Sequence, residues 1–258
     1  MENTEDSKMS LTEHLIELRK RLTNSLIAVG VGFFACYYFK DNLFAIISKP
    51  LTEALPKGSY LIYTGLTQAF FTYMKIAIFA SLILTSPFIM YQIWKFIAPA
   101  LLQNEKKLVV PFVLSSTLLF LGGVLFGYFV VLPPAFTFFV SFNNDYLRAM
   151  ISFGDYLSLF MRFLLGFGIS FELPVVIFFL ARLRIVNDKM LSKNRKYAIL
   201  LIFVTAAVLT PSPDALSQIL MAMPLMFLYE VSIFVAKFAS RKKDVPEESE
   251  SMSEESGA

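Results

Sequence analysis

Six apolar runs, separated by short polar or charged stretches, organise this chain of 258 residues. Residues 22–39 carry no charge; residues 69–94 form a longer run with Lys75 near its start; residues 108–132 are uncharged throughout. Residues 156–181 are interrupted by Arg162 and Glu172, residues 197–210 offer a short run of 14, and residues 215–236 contain Glu230 near their end. A helix that crosses a hydrocarbon core of about 30 Å needs about 20 residues. The pattern therefore predicts an all-α polytopic membrane protein with six transmembrane helices in a concave bundle. The fifth run covers only about 21 Å. With the tight turn at Pro211-Ser212-Pro213-Asp214, the fifth and sixth helices read as a short, shallow hairpin.

The stretches between the runs have patterns of their own. Ser10-Leu11-Thr12-Glu13 fits a capping box, and Leu11, Leu15, Leu18 and Leu22 then fall on one helical stripe. Residues 41–55 place apolar side chains at 43, 44, 46, 47, 51 and 55, compatible with a short interfacial helix broken near Pro50. Residues 133–146 hold Phe136, Phe138, Phe139 and Phe142 and suit a segment that lies on the membrane or caps the bundle. The mixed-charge residues before the first run, and Tyr37-Tyr38-Phe39-Lys40 after it, speak against a cleaved signal peptide.

Charge sets the orientation. If the N-terminal segment is cytoplasmic, 17 of the 23 basic residues fall on the cytoplasmic side: Lys8 and Arg19 to Arg21; Lys95, Lys106 and Lys107; six between Arg182 and Lys196; and four from Lys237 to Lys243. Only Lys40, Lys49, Lys57 and Arg148 fall on the other side. The positive-inside rule then places both termini in the cytoplasm. The overall charge of +3 conceals a body of +9, because residues 244–258 carry six acids and no base. The chain thus reads as a flexible N-terminus over residues 1–9, one membrane domain over 10–240, and a disordered acidic tail over 241–258.

Composition agrees with membrane residence, at 56% hydrophobic and 17% charged residues with 28 Phe. It also excludes chemistry. Cys36 and His14 are each the sole residue of their kind, so neither an internal disulfide nor a Cys/His metal cluster is possible. No GxxxxGK[ST], HExxH or GxSxG motif occurs. The chain reads as no enzyme, with no cofactor and no nucleic-acid partner. The informative residues are the few acids. Glu17 sits four residues before Arg21, and Glu105 is the only acid between Glu53 and Asp145. Each has two readings: a local ion pair, or a cytoplasmic cation site in which a carboxylate accepts a guanidinium bidentately, which lysine cannot match. Glu172, with Ser170 and Pro174, forms a polar notch inside an apolar run; intramembrane charge is costly and tends to be functional. Gln218, one turn past Asp214, is a candidate to wet the same cavity, whereas Gly123 and Gly127 read as close helix packing. A proton- or solute-coupled secondary transporter using Arg162 and Glu172 is the alternative from another class.

Taken together, His14-Leu15-Ile16-Glu17-Leu18-Arg19-Lys20-Arg21-Leu22, Phe96-Ile97-Ala98-Pro99-Ala100-Leu101 with Glu105, Phe171-Glu172-Leu173-Pro174, and Thr210-Pro211 with Asp214 and Gln218 resemble the TatC family over roughly residues 9–240. TatC is the polytopic receptor subunit of the twin-arginine protein translocase. The resemblance implies a protein of the bacterial cytoplasmic (inner) membrane that binds twin-arginine signal peptides of folded precursors at Glu17 and Glu105, with Arg19 and Phe96 beside them. It implies that Glu172, Gln218 and Pro50 lie at partner-binding or intramembrane polar positions. It further implies TatA- and TatB-type single-span partners, contact with membrane lipid, self-association within the complex, and export driven by the proton motive force. Asn104 departs from the family, several of whose members place a His before the acid of that loop, and Lys106-Lys107 replace a common Arg pair.

Fusions at the C-terminus check the topology. A fluorescent protein there should fluoresce and an alkaline phosphatase should be inactive; an active phosphatase contradicts the assignment.

Overall fold

A computed structural model describes residues 11–56, 60–97, 109–142, 150–210 and 215–241, and among them the chain is helical with one isolated β-bridge. The all-α expectation holds. The described residues belong to two compact units, Met1–Leu121 with Phe136–Met161, and Gly122–Ala135 with Arg162–Ala258.

In the first unit, α1 (Leu11–Tyr38) runs unbroken for 28 residues, about 42 Å. The amphipathic N-terminal stretch is therefore not a separate element but the opening turns of the first long helix. Leu15, Leu18 and Leu22 on its stripe are exposed. The proposed capping serine, Ser10, lies outside the described residues. After a turn at Phe39 the chain bends by 85° into α2 (Lys40–Ala54). This helix was expected to break near Pro50, but it continues through it. Pro50 removes one amide donor, yet Ile47, Ser48, Pro50 and Leu51 form a buried face, and the Tyr156 hydroxyl donates to the Ile47 carbonyl. Packing thus holds the helix across the proline.

Helices α3 (Gln68–Leu84) and α4 (Ser86–Ile97) are joined with a 56° bend. Ser81 of α3 donates its hydroxyl to the Val29 carbonyl of α1 at 2.6 Å, and Gly32 lies against the same serine. Two non-helical segments meet through the parallel bridge between Ile62 and Ser152. Gln68 reinforces it, accepting from the Thr64 amide at 2.6 Å and donating to Ser152 Oγ at 2.8 Å.

The third run forms α5 (Val109–Phe126), a π turn at Gly127–Val131, and α6 (Leu132–Val140), in all 32 helical residues. The wide turn closes with the Leu132 amide on the Gly127 carbonyl, directly before Pro133 and Pro134, which lack amide donors. The Phe-rich segment after residue 133 therefore begins as an extension of this helix. Phe136 is buried on its inner face against Tyr156 of α7 (Phe153–Ser170), with ring centroids 5.2 Å apart.

In the second unit, Gly123 and Gly127 face α7 as packing positions. A Cβ at Gly123 would come within 2.6 Å of the Phe167 carbonyl and 2.9 Å of the Phe171 side chain. Phe126 packs on both rings, at 5.7 and 5.4 Å. Helix α8 (Leu173–Arg182) ends in a turn with Arg184 at φ 59°, and the Ile185 amide returns to the Leu180 carbonyl. That is a left-handed helix stop with arginine where glycine is the usual residue. After α9 (Asp188–Lys193), α10 (Arg195–Leu209) has 15 residues, short as expected. By contrast α11 (Ala215–Arg241) has 27 residues and is not short. It carries Pro224 internally without ending there, and it continues past the apolar run through Lys237. Helices α8 and α11 pack through Ile177, Ala181, Ala236 and Ala239, and the three alanines permit close approach.

Three helices among the described residues are long and apolar enough to cross a membrane, or five if each bent pair counts as one span. Helix α10, about 22 Å long, is the sixth candidate. Gly123→Val should lower the unfolding temperature of the detergent-solubilised protein by several degrees, an overpacking cost of about 1–3 kcal/mol. Gly122→Ala, whose added Cβ meets nothing within 4 Å, should leave it nearly unchanged.

Candidate functional site

On α1, His14, Glu17 and Arg21 recur at spacings of three and four and so share one face. On α4, Gln92 and Phe96 are four apart and share another, while Trp94 points away from them. Trp94 is buried, donates its indole N–H to Ser116 Oγ at 2.8 Å and stacks on Phe112 at 4.6 Å. That anchor fixes the rotation of α4 and turns Gln92 and Phe96 toward α1.

The two faces meet antiparallel. The His14 and Phe96 rings stack at 4.4 Å with 24° between planes. One to two turns further along α1, Arg21 Nη2 donates to Glu17 Oε1 at 2.9 Å, and Arg21 Nη1 donates to Gln92 Oε1 at 3.3 Å. Gln92 is buried, and the Glu17 and Arg21 side chains are only 16% and 17% exposed. The pairing is one-sided. Glu17 Oε2 and Arg21 Nε are both buried and make no hydrogen bond among the described residues. A carboxylate that has used one oxygen and kept the other, beside an aromatic wall, is suited to receive one more cationic donor.

The remaining candidates fall elsewhere. Arg19 is exposed and off this face, its carbonyl accepting the Thr23 hydroxyl at 2.8 Å. Glu105, with Asn104, Lys106 and Lys107, lies outside the described residues. Pro50 is buried in α2. Glu172 is half-buried at the step between α7 and α8. Pro174, read from the sequence as part of a polar notch inside an apolar run, does not sit inside a continuous helix. Instead it occupies the first turn of α8, where a missing amide costs little, and the Ser170 hydroxyl bonds the Gly166 carbonyl at 2.6 Å. The polar notch thus narrows to Glu172. Gln218 donates to the Phe203 carbonyl at 3.0 Å and ties α11 to α10. Arg162 is exposed and precedes Glu172 by ten positions, about 15 Å along a helix, which is too far for direct proton exchange. Glu230 pairs with Arg195 at 2.9 Å. No cluster able to hold a metal occurs among the described residues.

The family model for the Sec-independent protein translocase protein (TatC) matches residues 13–224. This chain belongs to the TatC family. The TatC protein of Desulforapulum autotrophicum is 48% identical over 244 residues, covering 95% of this chain and 90% of that protein. The TatC protein of Escherichia coli K12 is 43% identical over 236 residues, covering 92% and 91%. A crystal structure of the twin arginine translocase receptor TatC superimposes with a TM-score of 0.79 at 40% identity, over 89% of this chain and all of that one. As a TatC, the chain is a multi-pass membrane component of the Sec-independent protein translocase, not an enzyme.

Sequence reasoning identified Glu17 and Phe96 and the pairing of Glu17 with Arg21, but not Gln92 or the stacking of His14. Gln92 is the one amide side chain between residues 69 and 94, and an amide in an apolar run was the available signal. Removing one member of a mostly buried pair strands the other. Glu17→Ala should therefore destabilise the protein by about 1–3 kcal/mol in thermal unfolding. Glu230→Ala, which opens a pair with both side chains about half exposed, should cost under about 1 kcal/mol.

Proposed function

We propose that this chain is the receptor subunit of a twin-arginine translocase. It binds the twin-arginine signal peptides of folded precursors at the cytoplasmic face and recruits TatA- and TatB-type single-span partners for export driven by the proton motive force. The observation that carries this reading is the half-used carboxylate of Glu17, held between α1 and α4 beside the His14–Phe96 stack. A guanidinium presents planar, paired donors to such an oxygen, and a lysine ammonium does not. The aromatic wall offers a flat surface on which a second guanidinium or an apolar residue of the peptide can rest. Glu105, the one acid of the loop after α4, supplies the second carboxylate, so that each of two arginines has a counter-charge. The relative solved as a twin arginine translocase receptor supports the same reading.

The basic residues of the flanking loops support a cytoplasmic position for this site, in the bacterial inner membrane with both termini inside. Glu172, half-buried between two apolar helices, serves as the polar contact for a partner helix within the membrane, and Gln218 and Pro50 shape the surfaces around the bundle. Self-association and lipid contact use the exposed apolar faces.

The test is a pulldown by the purified protein of a twin-arginine signal peptide against its twin-lysine counterpart. Each charge-assisted bond is worth about 1.5–3 kcal/mol, so twin arginine should be preferred by tens-fold or more. Glu17→Gln combined with Glu105→Gln should abolish the preference. In the same assay Glu172→Ala should retain the peptide and lose the single-span partners. Equal capture of both peptides contradicts the receptor reading.

A further inference from the structure

The Glu17–Arg21 pair is not in the geometry a free carboxylate and guanidinium would choose. Two groups of this shape form their strongest contact side-on, with two parallel N–H···O bonds. Here the contact is a single bond from Nη2 to Oε1 at 2.9 Å. An acceptor, Glu17 Oε2, and a donor, Arg21 Nε, both stay buried and unused among the described residues although they belong to the same two side chains. A small rotation of the guanidinium would let the two groups satisfy each other. What opposes it is Gln92: its carbonyl oxygen accepts from Arg21 Nη1 at 3.3 Å, 71 positions away in sequence. Gln92 is itself only 5% exposed, and the Trp94 anchor on Ser116 and Phe112 fixes its helix. The amide cannot follow the guanidinium if it turns.

We infer that Gln92 is a positioning residue that holds Arg21 short of bidentate closure on Glu17, so that one carboxylate oxygen stays open for an incoming guanidinium. Arg21 orients the carboxylate, and Gln92 restrains Arg21. This inference rests on the receptor reading, since it specifies how that site is kept ready for its ligand. It also explains why a basic residue beside the acid does not defeat recognition. A resident arginine free to close would occupy both oxygens, and a guest would have to displace it. A resident arginine held by a second acceptor leaves the guest a vacant, desolvated oxygen, where a charge-assisted bond is strong.

The experiment measures the equilibrium affinity of a twin-arginine signal peptide for the full-length protein in detergent, with the twin-lysine peptide as reference, alongside thermal unfolding of each variant. Gln92→Leu should weaken twin-arginine binding by about tenfold, the worth of one charge-assisted hydrogen bond, and should narrow the gap to twin lysine without lowering the unfolding temperature. Removing the competing fork should then restore binding, so Gln92→Leu combined with Arg21→Gln should recover most of the lost affinity. Loss of packing at Gln92 would produce no such rescue. Gln92→Asn keeps an amide but shortens its reach, and it should reproduce the loss if the leucine variant does not fold. Undiminished affinity in Gln92→Leu, or a double variant no better than the single one, overturns the inference. Twin-arginine binding that survives Glu17→Gln overturns the receptor reading at this carboxylate instead, whereas dependence on Glu17 with indifference to Gln92 overturns the inference alone.

Discussion

Within a lipid bilayer no water is available to satisfy a backbone amide or to solvate a charge, and this constraint shapes each described element. It explains why the chain meets the membrane as helices, whose amides bond within the element. It also explains how the buried side-chain polar groups are used. Ser81 bonds a carbonyl of α1, Trp94 bonds Ser116, and Gln218 bonds a carbonyl of α10. Each such bond satisfies a polar group and fixes one helix against another. The small residues at Gly123 and Gly32 serve the same packing from the other direction, by removing bulk where a neighbour's backbone or hydroxyl comes close.

Charge is where the constraint becomes informative. Lys49–Glu53 and Arg195–Glu230 are pairs with half or more of each side chain exposed, and water screens them to small energies. Glu17–Arg21 is different in kind, because its side chains are mostly withdrawn from solvent and a buried amide engages the guanidinium. A pair in such surroundings has to be geometrically complete to be merely structural. Among the described residues this one is incomplete, with a donor and an acceptor that make no hydrogen bond. Incompleteness held in place by a third residue is the mark of a site that expects a ligand.

Much of this was legible beforehand. Charge-poor apolar runs marked the helices, because burying a charge in lipid is costly enough to keep such runs nearly clean. The i,i+4 spacing of Glu17 and Arg21 announced their pairing, and the short fifth helix followed from its 14-residue run. The misjudged boundaries share one cause. Apolar runs measure what lipid tolerates, not where helices end, so α1 begins eleven positions before its run and α11 continues five beyond. Pro50 was read as a break on local grounds and Pro174 as part of a polar notch; tertiary packing carries α2 through the first, and a first-turn position makes the second harmless. Gln92 was invisible in the site because its role depends on a neighbour far away in sequence.

The central claim, that twin arginines are received between α1 and α4, is tested most directly by crosslinking. A photoreactive residue placed next to the twin arginines of a precursor should, on illumination, link to peptides containing residues 14–21 and 92–96, and those links should disappear when the arginines are replaced by lysines. Crosslinks confined to α7 and α8 around Glu172, or unchanged by the lysine replacement, would contradict the account.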